Sequence, residues 1–178
     1  MQNIVISAIL FLSVIAQISF FPNFFSSGSI PDGALVIIII WIARADFNSV
    51  FKWAVLGGLM LDIASFQPVG LNVFSFVTVA FIVNSLSKRF LVPQFAWKFF
   101  MLVIMIIIGT IINQIIIISL LKGFVYLNDL PWDGLIFFKW DLLLKPAYNL
   151  GIFAVLYGPL RKLDKIFAYQ NNRVIIKR

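Results

Sequence analysis

From Phe99 to Leu121 no residue carries a charge, and most are Ile, Leu, Val, Met or Phe. Such a run is long enough, as a helix, to cross the hydrocarbon core of a bilayer, which is roughly 30 Å thick and takes about 20 residues. Within lipid the backbone must satisfy its own hydrogen bonds, so only helices and closed barrels span. A barrel strand alternates apolar and polar residues, and this stretch does not. It predicts a membrane helix, and apolar runs of similar character recur along the chain. Charged residues make up only 12% of the sequence, against about 25% in soluble domains, and the mean hydropathy is +1.03. The expected fold class is therefore an all-α membrane protein, a six-transmembrane-helix bundle.

The six runs are Ile4 to Phe25, Pro31 to Ala43, Trp53 to Ser65, Gly70 to Leu86, Ala96 to Leu121, and Asp141 to Leu160. The first lacks a basic leader and is too long for a usual signal-peptide core, so it is expected to be retained even though Ser26-Ser27-Gly28-Ser29 follows it. Pro31 suits a first helical turn, where its missing N–H has no partner to lose, and Asp32 favours the positive helix end. The second and third runs are short, which suits helices packed inside the bundle or placed where the bilayer thins. Residues 1–160 form one transmembrane domain in this reading, and 161–178 a basic tail. With the N-terminus cytoplasmic, eleven Lys and Arg fall on the inner side and Lys122, Lys139 and Lys145 on the outer side. The positive-inside rule then places both termini in the cytoplasm. The Gln67-Pro68-Val69-Gly70 turn and the loop from Lys122 to Trp140 lie outside.

The chain has no His, no Cys and no Glu, and all seven acidic residues are Asp. Imidazole bases, thiolate nucleophiles and the usual Zn ligand sets cannot be built from it. An enzyme is not expected, nor a metal or cofactor. The net charge of +7 reads first as an orientation signal and not as a nucleic-acid site.

The most informative stretch is Gly57-Gly58-Leu59-Met60-Leu61-Asp62-Ile63-Ala64-Ser65-Phe66-Gln67-Pro68-Val69-Gly70. On a helix Ala54, Gly58 and Asp62 share one face, with Ser65 a turn further on. Small residues at this spacing admit a second helix closely, more often one of the chain's own than one of another protein. A charged Asp within a span costs roughly 2.5–3.5 kcal/mol unless paired or hydrated. Asp62 either anchors a partner or ligand, or ties its helix to a neighbour. One expected pairing is Asp62 with Lys145, and its rival joins Lys145 to Asp141 one turn back. Asn113 and Gln114, set among isoleucines, are expected to hydrogen-bond between helices, at about 0.6–2 kcal/mol each. In the outer loop, Trp132 of Pro131-Trp132-Asp133-Gly134 is either part of an interfacial aromatic belt or a docking point. The tail, with six basic residues, suits anionic lipid at the membrane surface.

The stretch from Ile30 to about Leu86 resembles the rod shape-determining protein MreD family of bacteria. It has a Pro before an apolar helix, a short charged link, then Gly-x-Leu-x-x-Asp-Ile (Gly57, Leu59, Asp62, Ile63) and a Gly before the next helix at Gly70. The last span, with Pro146 and a basic end at Arg161-Lys162, also looks alike, although Lys145 departs from the family pattern. The resemblance implies a fold similar to the substrate-binding subunits of energy-coupling-factor transporters. It implies a non-enzymatic scaffold of the elongation complex in the inner membrane, binding the single-span protein MreC. Through MreC such a scaffold would act with MreB, RodA and a penicillin-binding protein in cell-shape maintenance and lateral peptidoglycan synthesis. Ala54, Gly57, Gly58, Asp62, Pro68, Gly70 and Trp132 are the partner-interface candidates under this reading, and a second copy of the chain is a further possible partner. The competing expectation is a substrate-capturing subunit of a vitamin transporter.

Overall fold

The computed structural model describes residues 2–25, 29–43, 47–66, 68–90, 95–124 and 142–160. Among them there is no strand. The helices are α1 (Gln2–Ile15), α2 (Gly33–Ile42), α3 (Phe47–Ala64), α4 (Leu71–Phe90), α5 (Phe95–Phe124) and α6 (142–160). Four segments are long and apolar enough to cross a membrane: Ile4–Asn23, Phe47–Ala64, Leu71–Arg89 and Phe99–Leu120. The basic tail, Trp132 and Gln67 lie outside the described residues.

α2 organises the bundle. It touches α1, α3, α4 and α5, and of its ten residues only Trp41 escapes full burial. Its sequence is apolar on every side, the pattern of a helix wrapped by others. Lipid tails are as apolar as these side chains, so α2 gains no water-exclusion energy by choosing protein over lipid. Close packing and polar contacts hold it there.

α1 does not end cleanly. It runs on into a π-helical turn, Ala16–Phe20, and a 3-10 turn, Phe21–Asn23. Pro22 lacks the N–H that an α-helix would direct to the Ile18 carbonyl and crowds that carbonyl. The ladder loosens one residue earlier, where the Phe21 N–H reaches back five residues to Ala16. α3 begins at Phe47, six residues before the expected Trp53. Phe47 meets Phe81 of α4 edge to face, ring centroids 5.8 Å apart, and Val50 is 2% exposed, so the charged link is helical from Phe47 and packs through its apolar residues. α3 and α4 form an antiparallel hairpin with extensive contact. α6 runs antiparallel to α5, with Phe153 and Tyr157 each 5.4 Å from the Phe99 ring.

Candidate functional site

Asp62 is fully buried, and its neighbours are local. One oxygen accepts the Gly70 N–H at 2.8 Å, and the other accepts both the backbone N–H and the side-chain amide of Asn72, at 2.9 and 2.8 Å. The first N–H groups of a helix have no partner within it and carry the positive end of its dipole. Asp62 thus caps α4 from across the turn. The other motif residues serve the same hairpin. A Cβ on Gly58 would stand 2.6 Å from the backbone N and Cα of Val73, and Gly70 adopts φ +102°. The Gly-x-x-x-Asp pattern with its following Gly builds one tight helical corner.

This placement corrects one expectation and bears on another. Lys145 does not pair with Asp62; its ammonium lies 2.8 Å from Asp32, and the Asp62 oxygens are already taken by the start of α4. Ala54, Gly57, Gly58 and Asp62 are buried against the chain's own helices, with Gly57 facing Ile38 of α2 and Leu10 of α1. Their face packs within the fold itself. Of the remaining interface candidates, Pro68 is exposed and Gly70 half-buried. They share the hairpin tip with Phe66 and Val69, which are 98% and 73% exposed.

The second polar centre is Asp32, at the N-cap of α2. Its carboxylate does not cap its own helix. One oxygen accepts from the Gln17 amide of the π-helical turn. The other accepts from Asn113 of α5 at 3.1 Å and pairs with Lys145 of α6. Its backbone N–H donates to Asn149 of α6 at 2.7 Å. The network continues outward: the Ser75 hydroxyl of α4 donates to Asn113, and the Asn149 amide donates to Thr110 of α5 at 2.9 Å. The π-helical turn, α5 and α6 meet at one carboxylate of the α2 N-cap that is 3% exposed, and α4 joins the network through Ser75. Gln114 is buried next to Asn113.

Gln17, Asp32, Ser75, Thr110 and Asn149 escape a reading that looks for motifs. What marks them is that each is a polar residue in or beside an apolar run, which in a membrane bundle points to an inward face.

Two concavities flank this centre. A polar cavity of about 340 Å³ is bounded by Gln17, Asp32, Ser65, Asn72 and Lys145 together with apolar side chains. An apolar groove of about 600 Å³ lies between α1, α2 and α6, where Ala147, Gly151 and Val155 of α6 face Ile9 and Leu12 of α1 and Ala16 of the π-helical turn. A Cβ added to Gly151 would meet nothing within 4 Å. The polar groups offer hydrogen bonding and ion pairing. The Ser65 and Ser75 hydroxyls both donate to oxygen acceptors, so neither is poised beside a base.

The family model described as rod shape-determining protein MreD matches residues 1–165. The chain belongs to the MreD family. No curated protein and no solved structure matches the chain. The match takes in every described helix of this MreD-family chain. Membership gives it a role in rod shape determination within a family of structural, shape-determining proteins. With four apolar helices of spanning length, it is a multi-pass membrane protein.

Proposed function

We propose that this chain is a non-enzymatic scaffold of the elongation complex in the bacterial inner membrane, with six spans and both termini in the cytoplasm. It acts by binding the single membrane span of an MreC-like protein. Through that protein it positions the MreB filament and the RodA and penicillin-binding-protein pair for lateral peptidoglycan synthesis. Recognition is helix against helix, without turnover or cofactor.

The observation that carries the reading, beyond family membership, is the groove along α6. Ala147, Gly151 and Val155 recur at four-residue spacing on an exposed face, Val155 at 73%, beside a concavity with little polar lining. In lipid, association is driven by close packing, and small residues permit it. The small stripe of α3 is used up inside the fold, while that of α6 is open. The groove is a better place for a partner span than the motif helix.

Co-expression with the MreC-like protein of the same organism, purification in detergent and native mass spectrometry test the reading. A stable complex of both chains is expected. A folded chain that never retains the partner would overturn the proposal.

A further inference from the structure

The corner between α3 and α4 holds out an aromatic ring that its own helices leave uncovered. Phe66 is 98% exposed and has φ +54°, the left-handed region that is unfavourable for a residue with a Cβ and at helix ends falls most often to Gly. Val69 is 73% exposed, and Pro68 is exposed as well. The corner is otherwise tightly built. The Asp62 carboxylate accepts from Gly70 and Asn72, and Gly58 leaves no space for a side chain against the Val73 backbone. A fixed corner thus carries a strained Phe whose ring gains almost no contact from the fold, so what favours it there lies outside the chain.

Charge and backbone pairing identify those surroundings. From Trp53 to Ser87 the only charged residue is Asp62, and it is fully buried, whereas the other end of α4 carries Lys88 and Arg89. The exposed apolar surface continues onto Ile63 of α3, at 62%, and Phe74 of α4, at 57%. Both helices are apolar enough to cross a membrane, and such side chains face lipid. At the corner, the Ser65 N–H donates to the Leu61 carbonyl at 2.9 Å and the Leu71 N–H to the Pro68 carbonyl at 3.2 Å. The Ser65 hydroxyl also donates to Leu61, at 2.6 Å, and the Gly70 and Asn72 N–H groups are held by Asp62. Non-helical backbone at membrane depth needs such internal partners. α3 has 18 residues, about 27 Å of helix, against roughly 30 Å of hydrocarbon core. The residues just past its end therefore sit at the edge of that core.

We infer that the α3–α4 corner is a lipid-binding surface. Phe66, Pro68 and Val69 lie among the acyl chains just beneath the headgroups and do not reach the aqueous phase. The turn, placed outside by the count of basic residues, then stays within the leaflet on that side. Asp62 lets the chain reverse there by supplying the acceptor that water would otherwise provide. The surface is separate from the α6 groove, so it stands or falls independently of partner binding.

The chain has no Cys, so one substitution places one nitroxide label. Phe66→Cys and Val69→Cys are labelled in the full chain in phosphatidylcholine nanodiscs, with Ile63→Cys as the lipid-facing reference and Arg89→Cys as the aqueous one. Relaxation of the label by oxygen, which concentrates in hydrocarbon, is compared with relaxation by a water-soluble nickel chelate. Oxygen is expected to dominate at 66 and 69, as at 63, and nickel at 89. Two positions keep the test decisive should one variant not fold. Dominance of nickel at 66 and 69 would put the corner in water and overturn the inference. Shielding from both reagents there, in the chain alone or with the MreC-like protein co-purified, would make the corner a protein interface and overturn it as well.

Discussion

Replacing Lys145 by Met tests the polar centre most sharply. Met keeps the length of the unbranched stem and removes the ammonium, leaving the Asp32 carboxylate, 3% exposed, without its counter-ion. Breaking a buried pair from one side costs about 3–5 kcal/mol. Gln17 and Asn113 still donate to Asp32, which holds the expected loss near the lower end, about 3 kcal/mol. Asp32→Asn should cost a similar amount or somewhat less, since it leaves the half-buried ammonium without its counter-ion. The double variant removes both charges and so leaves neither one without its partner. Its destabilisation should fall short of the sum of the two single losses by about 2–3 kcal/mol, within the range measured for residues in contact. Unfolding titrations in mixed detergent micelles give the four values. The same cycle run on Lys145→Met with Asp62→Asn should be additive within about 0.5 kcal/mol, because Asp62 bonds to Gly70 and Asn72. Additivity in the first cycle, or coupling in the second, would refute the assignment of Lys145 to Asp32.

Asp62→Ala leaves three donors at the start of α4 without their acceptor and should cost on the order of 3–5 kcal/mol, read in the same titration. Gly58→Ala should be far more disruptive than Gly57→Ala, as thermal stability in detergent will report. The new methyl meets backbone at 2.6 Å in the first case and the movable Ile38 Cδ1 at 3.4 Å in the second. Gly70→Ala has open space around it but holds φ +102°, so it should lose about 1–2 kcal/mol from backbone strain alone. A loss above about 4 kcal/mol would refute backbone strain as the cause.

The positions of the apolar runs could be read from the sequence because a membrane helix must be long, apolar and internally bonded whatever surrounds it. The start of α3 could not, since Phe47 and Val50 become helical through packing on neighbouring helices that a local pattern does not reveal. Asp62 stood out as a carboxylate inside an apolar run. Its acceptor role lies only eight to ten residues ahead, yet the motif's small residues also fit a binding face. Asp32 was hidden for a different reason. Beside Pro31 it looks like a helix start, and its partners Asn113 and Asn149 lie 81 and 117 positions away. Only the assembled bundle brings them together, and the same assembly decides which small-residue stripe is buried and which is left open.

In the proposed complex a partner span seats on α6 and not on the motif helix. The most direct test is native mass spectrometry of Gly151→Leu co-expressed with the MreC-like protein, with thermal stability of the variant measured in parallel. Gly151 has open space around it, so the variant is predicted to fold with unchanged stability and to lose the complex. A complex retained in full by Gly151→Leu, but lost on substitution of Pro68 or Val69 at the α3–α4 tip, would contradict the account and move the interface to that corner.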